Sequence, residues 1–446
     1  MPGQQTKIRI AVPFFRPSIL DAEIEEVVKC LRSGWLTTGP ITRQFENDFR
    51  EHVGAKYAIA VNSGTAAMHL AVEALGLNAG QAVLVPTMTF AATAEVVQHQ
   101  GAIPILVDCR PETLNIDLAD AERKIDQLND GCLPLGNDSK ITSAFSHPAP
   151  IPVPFGEREQ GEVLIEPSLD GQLIVRGILP VHVGGLMADL DEIKGFAEKN
   201  GLWIVDDAAH AFPAAFQGDG KLNWQKAGEN TADVTCFSFY ANKTITTGEG
   251  GMAVTNDQRL AERMRSMSLH GLSRNAWNRF ETGASWDYRI IAPGFKYNLT
   301  DIAAAIGIHQ LKRAEEMRLA REAVAKFYLE RLADVEEIEL PPNPSNRIHS
   351  WHLFPIRLHL DNLTIDRNEF MIELNNRGIS TSVHWRPLHL HPYYQETFGW
   401  KEDDFPVATR EWKRLISMPI FPDMRQDEMA YVAEQVEAIC REKRRE

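Results

Sequence analysis

Cysteines and long apolar runs are scarce in this chain of 446 residues. The five cysteines form no CxxC pair or other metal-ligand spacing, which favours reduced thiols in a cytoplasmic protein without a metal site. No apolar run reaches the roughly eighteen residues that a membrane helix needs. The first residues also lack the apolar core of a signal peptide. We therefore expect no membrane association.

Basic residues are also fewer than acidic residues. The chain has 46 Lys and Arg against 61 Asp and Glu, a formal net charge of −15. Binding to nucleic acid usually needs a basic surface, so this composition argues against it. The length is sufficient for one large and one small domain, each with its own core.

The stretch around Lys243 has the pattern of a β-hairpin with a reactive group at its turn. An apolar run ends at Ser238, a polar turn carries Lys243, and three glycines between 248 and 251 lead into a second apolar run. An amine held between two strands loses part of its hydration, which lowers its pKa and frees its lone pair to attack a carbonyl. A solvated surface lysine is the alternative.

Two other strands end in polar residues. One ends at Asp206 and Asp207 and is followed closely by His210; side chains alternate along a strand, so the two carboxylates should face opposite ways. The other turns through Ser63-Gly64-Thr65 into an apolar helix, whose first amides and Thr65 hydroxyl can bind an anion. Ligands of α/β sheets bind at the carboxyl ends of strands, so we expect these sites to meet.

Four segments in this order resemble the DegT/DnrJ-type sugar aminotransferases, fold type I enzymes that use pyridoxal 5′-phosphate (PLP). They are SGTAA at 63–67, VDDAAHA at 205–211, FSFYANKTITTGEGG at 237–251 and GFKYNLTDIAAAIG at 294–307. The resemblance runs from about residue 13 to about residue 424. Within the family, the chain is most similar to the UDP-4-amino-4-deoxy-L-arabinose:oxoglutarate aminotransferase branch.

The resemblance implies an α/β fold in two domains. A large PLP-binding domain at 13–300 would hold a mostly parallel sheet flanked by helices, a connecting helix would span 301–332, and a small α/β domain would follow at 333–446. In that domain we expect strands at 349–357 and 379–385 around a helix at 367–377.

One segment, 132–176, departs from the family. It is rich in proline and glycine, and 163–165 with 173–175 has the pattern of a β-hairpin preceding a strand at 177–182. The segment is either a neutral decoration or an active-site flap.

The resemblance also assigns cofactor roles. Lys243 would hold PLP as a Schiff base, Asp207 would pair with the pyridine nitrogen, and His210 would reach the phenolic oxygen. Phe90, which the sequence alone would equally place in the core, would stack on the ring. The cofactor phosphate would be bound by Gly64, Thr65 and Ser238, and by Lys296 or Asn298 from the partner in a homodimer with shared active sites. Which of Lys296 and Asn298 touches the phosphate stays open.

Substrate contacts are expected at two places. Trp35 and Thr37 lie in a loop beside the sugar nucleotide in the family, although a plain helix stop and turn would have the same composition. His384 and Arg386 match the substrate mouth, although a lone histidine is often structural.

The expected reaction is a ping-pong transfer in polysaccharide biosynthesis. L-Glutamate would leave as 2-oxoglutarate, the cofactor would alternate between PLP and pyridoxamine 5′-phosphate, and a nucleotide-linked keto-sugar, favoured as a 4-keto sugar on UDP, would receive the amine.

Several alternatives stay open from the sequence. A 3-keto sugar, a cyclitol or the substrate of an aromatic-amine synthase would suit the same fold. Related sugar 3-dehydratases carry a histidine in place of the lysine, so Lys243 argues against that reaction. A non-catalytic regulator is the remaining alternative, but it has no use for the lysine, both carboxylates and the phosphate loop together.

Overall fold

The computed structural model describes residues 11–133, 173–272 and 289–445. The α-helices are α1 (Asp21–Ser33), α2 (Pro40–Val53), α3 (Gly64–Ala74), α4 (Ala92–His99), α5 (Leu118–Asn129), α6 (Leu190–Asn200), α7 (Gln258–Met267), α8 (Asp301–Lys312), α9 (Ala314–Arg331), α10 (Arg367–Asn376), α11 (Pro392–Phe398), α12 (Pro406–Arg414) and α13 (Gln426–Lys443). Within these ranges, no helix combines the length and the apolar character that a bilayer crossing requires.

The strands form three sheets. They are β1 (Tyr57–Val61), β2 (Gln81–Pro86), β3 (Ile103–Val107), β4 (Ile174–Ile178), β5 (Trp203–Asp207), β6 (Ala215–Phe216), β7 (Gln225–Lys226), β8 (Val234–Ser238), β9 (Gly251–Thr255), β10 (Ile338–Glu339), β11 (Arg347–Ile348), β12 (Phe354–Leu358) and β13 (Leu415–Met418). The largest sheet has the order β1-β9-β8-β5-β4-β2-β3, and two three-stranded sheets have the orders β10-β12-β13 and β11-β6-β7.

The seven-stranded sheet is mostly parallel, as predicted. Strand β9 alone runs against its neighbours β1 and β8, and the other neighbouring pairs are parallel. Alternate residues of β1 face different cores: Ile59 and Val61 pack in one apolar cluster, whereas Ala58 and Ala60 pack in another. Both faces of the sheet are therefore covered, which leaves its strand ends as the place for polar chemistry.

The sequence prediction was wrong about the strand after the proline-rich segment. Leu173, Ile174 and Val175 were expected to pair with 163–165 in a hairpin, which stays a prediction; β4 begins at Ile174 and pairs in parallel with β2, with Ile174 opposite Gln81. The strand expected at 177–182 thus starts and ends earlier, and only an isolated bridge joins Val181 to Asp207. The other half of the predicted hairpin, 163–165, lies outside the described residues.

The single connecting helix predicted at 301–332 is two helices. Helix α8 ends at Lys312, α9 begins at Ala314, and Arg313 between them has φ −105° and ψ 5°. The Arg313 guanidinium donates to Glu23 Oε1 at 2.9 Å and to Ser18 Oγ at 2.7 Å. These contacts with the N-terminal segment accompany the break.

The C-terminal part has its own core around the β10-β12-β13 sheet, packed on α9, α10 and α13. Residues 379–385 do not form the predicted strand. Instead Ile379 makes a bridge with Val12, and Ser382 makes one with Ser417. The strand predicted at 349–357 begins only at Phe354, because residues 349–353 turn toward the seven-stranded sheet.

The N-terminus of α2 is held by one buried carboxylate. Asp301, at the start of α8, accepts hydrogen bonds from the Gly39, Ile41 and Thr42 amides at 2.7, 3.2 and 2.9 Å and from the Thr42 hydroxyl at 2.6 Å. The amides at a helix start have no acceptor within the helix, so this carboxylate satisfies them and fixes the loop that precedes α2.

Asp301→Ala should therefore lower the free energy of unfolding by about 2–4 kcal/mol, because it leaves several buried donors unpaired. Asp301→Asn, which retains one acceptor oxygen, should lose less. The matched control is Asp366→Ala, which removes an exposed cap that accepts one backbone hydrogen bond. Denaturant titration would measure all three, and equal losses for Asp301→Ala and Asp366→Ala would contradict this assignment.

Candidate active site

Strands β1, β5 and β8 run in the same direction, so their carboxyl ends share one edge of the sheet. Asp207 is the last residue of β5 and lies opposite Cys236 of β8. Ser238 ends β8 and is paired with Gly251 of the returning strand β9. The turn after β1 leads directly into α3. The three predicted strand ends therefore meet at one place.

The turn between β1 and α3 lies very close to the end of β8 and the start of β9. Ser63 caps α3, and its hydroxyl accepts the Ala66 amide at 3.0 Å. The amides of Gly64 and Thr65 are among the first of the helix and have no intrahelical acceptor. A Cβ on Gly64 would come within 3.0 Å of the Ser238 Cβ, and one on Gly251 within 2.4 Å of the Ser63 carbonyl oxygen. The glycines thus bring backbone and hydroxyl donors together as an anion site.

Lys243 lies in the turn between β8 and β9, where its amide donates to the Tyr240 carbonyl at 2.9 Å. The predicted hairpin around it is confirmed. Burial lowers the pKa of the Lys243 amine to about 8; Asp207 opposes this shift, and the positive charge of Arg321 adds to it. The free base of Lys243 is therefore accessible near neutral pH.

Asp207 and Asp206 point to different sides of β5. Asp207 accepts the Thr93 hydroxyl at 2.8 Å and the Ala209 amide at 3.1 Å. Burial raises its pKa, which these two hydrogen bonds and the Lys243 ammonium counteract. Asp206 is fully buried beside His182, with 3.8 Å between its Oδ2 and the histidine Nε2. Asp207 alone of the pair thus faces Lys243.

His210 sits among aromatic rings from the C-terminal part. Its ring lies 5.0 Å from the Trp385 ring at 17° and 4.2 Å from the His352 ring at 46°. Burial, followed by the charge of Lys243, holds the pKa of His210 well below its ordinary value. The same two causes lower the pKa of His384 to about 4. Both imidazoles are therefore neutral donors and acceptors beside the lysine.

The remaining substrate candidates have separate surroundings. His384 stacks on Phe14 at 5.5 Å, and its Nδ1 lies 2.9 Å from the Ser417 hydroxyl. Arg386, by contrast, is exposed; it donates to the Leu390 carbonyl oxygen at 3.1 and 2.6 Å, and its guanidinium lies over the Trp412 ring at 5.5 Å. Its binding role stays a prediction.

Phe90 is 63% exposed, and its backbone carbonyl accepts the Thr93 amide at 3.3 Å. It is therefore not a core residue. It lies three residues before Thr93, whose hydroxyl binds Asp207, and its stacking role stays a prediction.

Two loops carry the other candidates and are joined to each other. Asn298 donates to the Thr38 hydroxyl at 2.7 Å, and the Asp301 amide donates to the Thr37 carbonyl at 3.2 Å. The Trp35 indole donates to the Thr38 carbonyl at 3.2 Å. Lys296 donates to Asn298 Oδ1 at 2.5 Å and is exposed. The loop with Lys296 and Asn298 thus supports the loop with Trp35 and Thr37.

Sequence reasoning missed several residues of this site. Thr93 could have been found, because Thr89 and Thr93 lie four residues apart at a helix start, and their hydroxyls are 2.8 Å apart. Trp385 and His352 could not have been found, because no residue pattern around them indicates that they contact His210. Among the described residues, no group of three or more His, Cys, Asp or Glu side chains is arranged to hold a metal ion.

The residues present fit PLP. The glycine-lined turn offers donors for a phosphate, Asp207 offers a carboxylate, and Lys243 offers an amine with a lowered pKa. Buried polar atoms that lack a hydrogen-bond partner in the described structure also cluster here, including His210 Nδ1, Asn242 Oδ1 and the Thr244 hydroxyl. A polar ligand would supply partners for such atoms.

Fold and site together define a fold type I, PLP-dependent enzyme. The model of the DegT/DnrJ/EryC1/StrS aminotransferase family matches residues 17–135 and 162–437, and the chain belongs to this family. The match is interrupted at 136–161, inside the proline-rich segment. The predicted family, the α/β fold type I architecture, the PLP cofactor and the aminotransferase class are confirmed.

Relatives over nearly the full length support this assignment. The chain is 37% identical to the spore coat polysaccharide biosynthesis protein SpsC of Bacillus subtilis, over 96% of this chain and 97% of SpsC. It is 40% identical to the uncharacterized protein MJ1066 of Methanocaldococcus jannaschii, over 97% and 98% of the two chains.

Solved structures agree. Spr1654 of Streptococcus pneumoniae, described as a sugar aminotransferase and solved in PLP and PMP forms, superposes with a TM-score of 0.79 at 27% identity. In the PMP form the match covers 97% of this chain and 98% of that one. DesV of S. venezuelae, solved with a ketimine intermediate, gives a TM-score of 0.74 at 27% identity over 96% and 98%. The chain is thus a PLP-dependent sugar aminotransferase.

Asp207→Asn should reduce turnover of the PLP-loaded enzyme by about 10²-fold or more, because the amide keeps the shape but not the negative charge opposite a protonated ring nitrogen. Asp206→Asn, which alters the pair with His182 on the other side of β5, should cost less than about tenfold. Steady-state kinetics after reconstitution would compare them. The reverse ranking would overturn the assignment of Asp207.

The lowered pKa of Lys243 predicts when the amine reacts. Capture of PLP by the apoprotein should rise with pH through a midpoint near 8, because the unprotonated amine is the nucleophile. PLP itself also titrates in this range, so its reaction with an acetylated lysine amide is measured in parallel as a correction. In Lys243→Ala, the part of the reaction that depends on the protein should disappear. A midpoint near the ordinary lysine value of 10.5 would contradict the burial of this amine.

Proposed function

We propose that the enzyme transfers the amino group of L-glutamate to a nucleotide-linked keto-sugar, a 4-keto sugar on UDP being favoured. The observation that carries this proposal is the Lys243 amine, with its lowered pKa, in electrostatic contact with Asp207 at the shared strand edge. The similarity to a polysaccharide biosynthesis protein and to sugar aminotransferases supports the sugar acceptor. The alternatives are a 3-keto sugar or a cyclitol.

Bound PLP supplies a carbonyl carbon that can carry the amino group and a ring that accepts electrons. Lys243 would anchor it and, once displaced by the donor amine, would remove the proton from the donor Cα. Because burial favours the neutral amine, Lys243 can act as that base near neutral pH. Asp207 would hold the proton on the ring nitrogen, oriented by Thr93 and the Ala209 amide.

The remaining groups would bind and orient. Gly64, Thr65 and Ser238 would hold the phosphate through amides and hydroxyls at the start of α3. His210, a neutral imidazole, would hydrogen-bond the phenolic oxygen, and Phe90 would cover the ring. His384 lies close enough for the Lys243 charge to affect its pKa, which supports a place at the substrate mouth for it. Trp35 and Thr37 would contact the sugar nucleotide.

The homodimer with shared active sites is part of the same proposal. Apolar side chains along α1 and its flanks are about half exposed: Ile19, Leu20, Ile24, Leu31 and Leu36. Exposed apolar side chains that are grouped on one segment favour a face covered by a partner. The loop that follows α1 is bonded to the loop with Lys296 and Asn298, which places that loop beside the same face.

Half-reactions test the proposed chemistry. The PLP-loaded enzyme should convert L-glutamate to 2-oxoglutarate with bleaching of the visible PLP band, and the aminated enzyme should then react with UDP-4-keto sugars. The panel should include 3-keto sugar nucleotides, a keto-cyclitol and a keto-sugar without nucleotide, with Lys243→Ala as the inactive control. Bleaching by glutamate without reaction of any nucleotide sugar would overturn the acceptor, and no bleaching would overturn the donor.

Mixed dimers test the shared site. If Lys296 serves the partner's cofactor, Lys243→Ala and Lys296→Ala subunits, each inactive alone, should regain activity when mixed, because one of the two sites is then built entirely from unchanged residues. The same experiment with Asn298→Ala shows which residue reaches the phosphate. Differently tagged subunits allow the hybrid to be isolated. A hybrid with no activity for either residue would show that both act within their own subunit.

A further inference from the structure

Residues 349–353, which we call the strap, lie between β11 and β12 and reach across to the seven-stranded sheet. The Ser350 amide donates to the Gly185 carbonyl at 3.2 Å, and the Leu353 amide donates to the Gly184 carbonyl at 3.1 Å. The Ser350 hydroxyl donates to the His210 carbonyl at 2.5 Å. A Cβ on Gly185 would lie 1.9 Å from the Ser350 Oγ, so glycine is needed there. The strap is thus bound to the backbone of His210 itself.

The centre of the strap has an unusual backbone. Trp351 has φ +50°, which is uncommon for a bulky residue and persists only where surrounding contacts enforce it. Its amide donates to His349 Nδ1 at 2.8 Å, and the two rings stack at 3.9 Å and 4°. Trp351 and His352 are both buried. This turn brings the His352 ring to within 4.2 Å of the His210 ring.

Arg321 of α9 holds the strap from behind. It is 2% exposed and donates to the carbonyl oxygens of Ile420 at 2.9 Å and of Trp351 and His352 at 3.4 Å. No carboxylate within the described ranges forms an ion pair with it. Burying a guanidinium costs free energy. Because Arg321 gives its hydrogen bonds to backbone carbonyl oxygens, we infer that its role is to fix the position of this turn.

The contact between His352 and His210 is one of packing. His352 is 4% exposed, and neither of its ring nitrogens has a hydrogen-bond partner in the described structure. Burial, to which the positive charges of Lys243 and Arg321 add, holds its pKa well below the ordinary value, so the ring is neutral. His352 therefore acts on His210 by packing its ring against the His210 ring.

We propose that the C-terminal part positions His210 through a two-ring clamp, His352 and Trp385, and that Arg321 fixes the clamp by holding the strap. His352 and Trp385 are positioning residues in this proposal, since they act through His210. The clamp makes the orientation of His210 depend on how the C-terminal part docks on the sheet. Its meaning for the reaction rests on the proposed role of His210 toward the cofactor.

The test compares variants by properties of bound PLP that need no substrate. His352→Ala should release PLP about tenfold faster and shift the pH midpoint of the visible band, because His210 loses its fixed orientation. His352→Phe should stay within about twofold of the unchanged enzyme and unfold at an equal or higher temperature, since it keeps the ring and removes unpaired nitrogens. Arg321→Met should likewise release PLP faster, with partial recovery in Arg321→Lys; only the release rate is compared for these two variants, because the Arg321 charge itself acts on Lys243.

Ile356→Ala is the matched control, because Ile356 is fully buried in the C-terminal core on the strand after the strap. It should lower the unfolding temperature without altering PLP release or the visible band. The proposal is overturned if His352→Ala behaves like the unchanged enzyme, if His352→Phe is as impaired as His352→Ala, or if Ile356→Ala has the same spectral effect. If no keto-sugar accepts the amino group, the proposed function is refuted, but the proposal of the clamp is not affected, because its test needs no substrate.

Discussion

Burial of the Lys243 amine opposite Asp207 is the constraint on which the rest of the site depends. Removing an ammonium from water favours its neutral form, whereas a nearby carboxylate favours the charged form. Here burial is the larger effect, and the pKa falls to about 8. The amine is therefore reactive near neutral pH, while Asp207, held by Thr93 and the Ala209 amide, still has partners that stabilise its charge.

This balance requires contributions from both parts of the molecule. Lys243, Asp207 and the phosphate turn come from strand ends of the large sheet, but the rings that exclude water from His210 come from residues 352 and 385. Arg321 of α9, the cation that adds to the lowering of the Lys243 pKa, is buried against the strap. The pKa shifts of Lys243 and His210 therefore depend on the C-terminal part being packed against the sheet.

Local pattern predicted those features that depend on local physics. The alternation along β5 separated Asp206 from Asp207, and glycines around Lys243 indicated the hairpin, because both effects arise within a few residues. Pairing over long distances was not predictable. Ile174 of β4 pairs with Gln81, which is distant in the chain, and Arg313, at which α8 ends, contacts the distant residues Ser18 and Glu23. Arginine by itself favours a continuous helix.

The same distinction applies to the site. The sequence predicted that Lys243, Asp207 and the Gly64 turn would meet, because each lies next to a strand end, and the structure brings these strand ends together. The contact between His210 and His352 joins residues that are far apart in the chain, and the backbone of Trp351 that creates it is typical of glycine or asparagine rather than tryptophan. No property of the segment His349-Ser350-Trp351-His352-Leu353 alone indicates this conformation.

The charges around Lys243 differ from those of the chain as a whole. The chain carries a net charge of −15, but around Lys243 the histidines are neutral and the buried cation Arg321 has no carboxylate partner among the described residues. Asp207 is the acidic group coupled to Lys243 there, and its charge would be met by the protonated ring of the cofactor. The site therefore does not share the acidic excess of the whole chain, because the Asp207 carboxylate is coupled to the Lys243 amine and the Arg321 charge also acts there. Such a balance suits the proposed substrates, an amino-acid carboxylate and a nucleotide sugar, better than a wholly acidic site would.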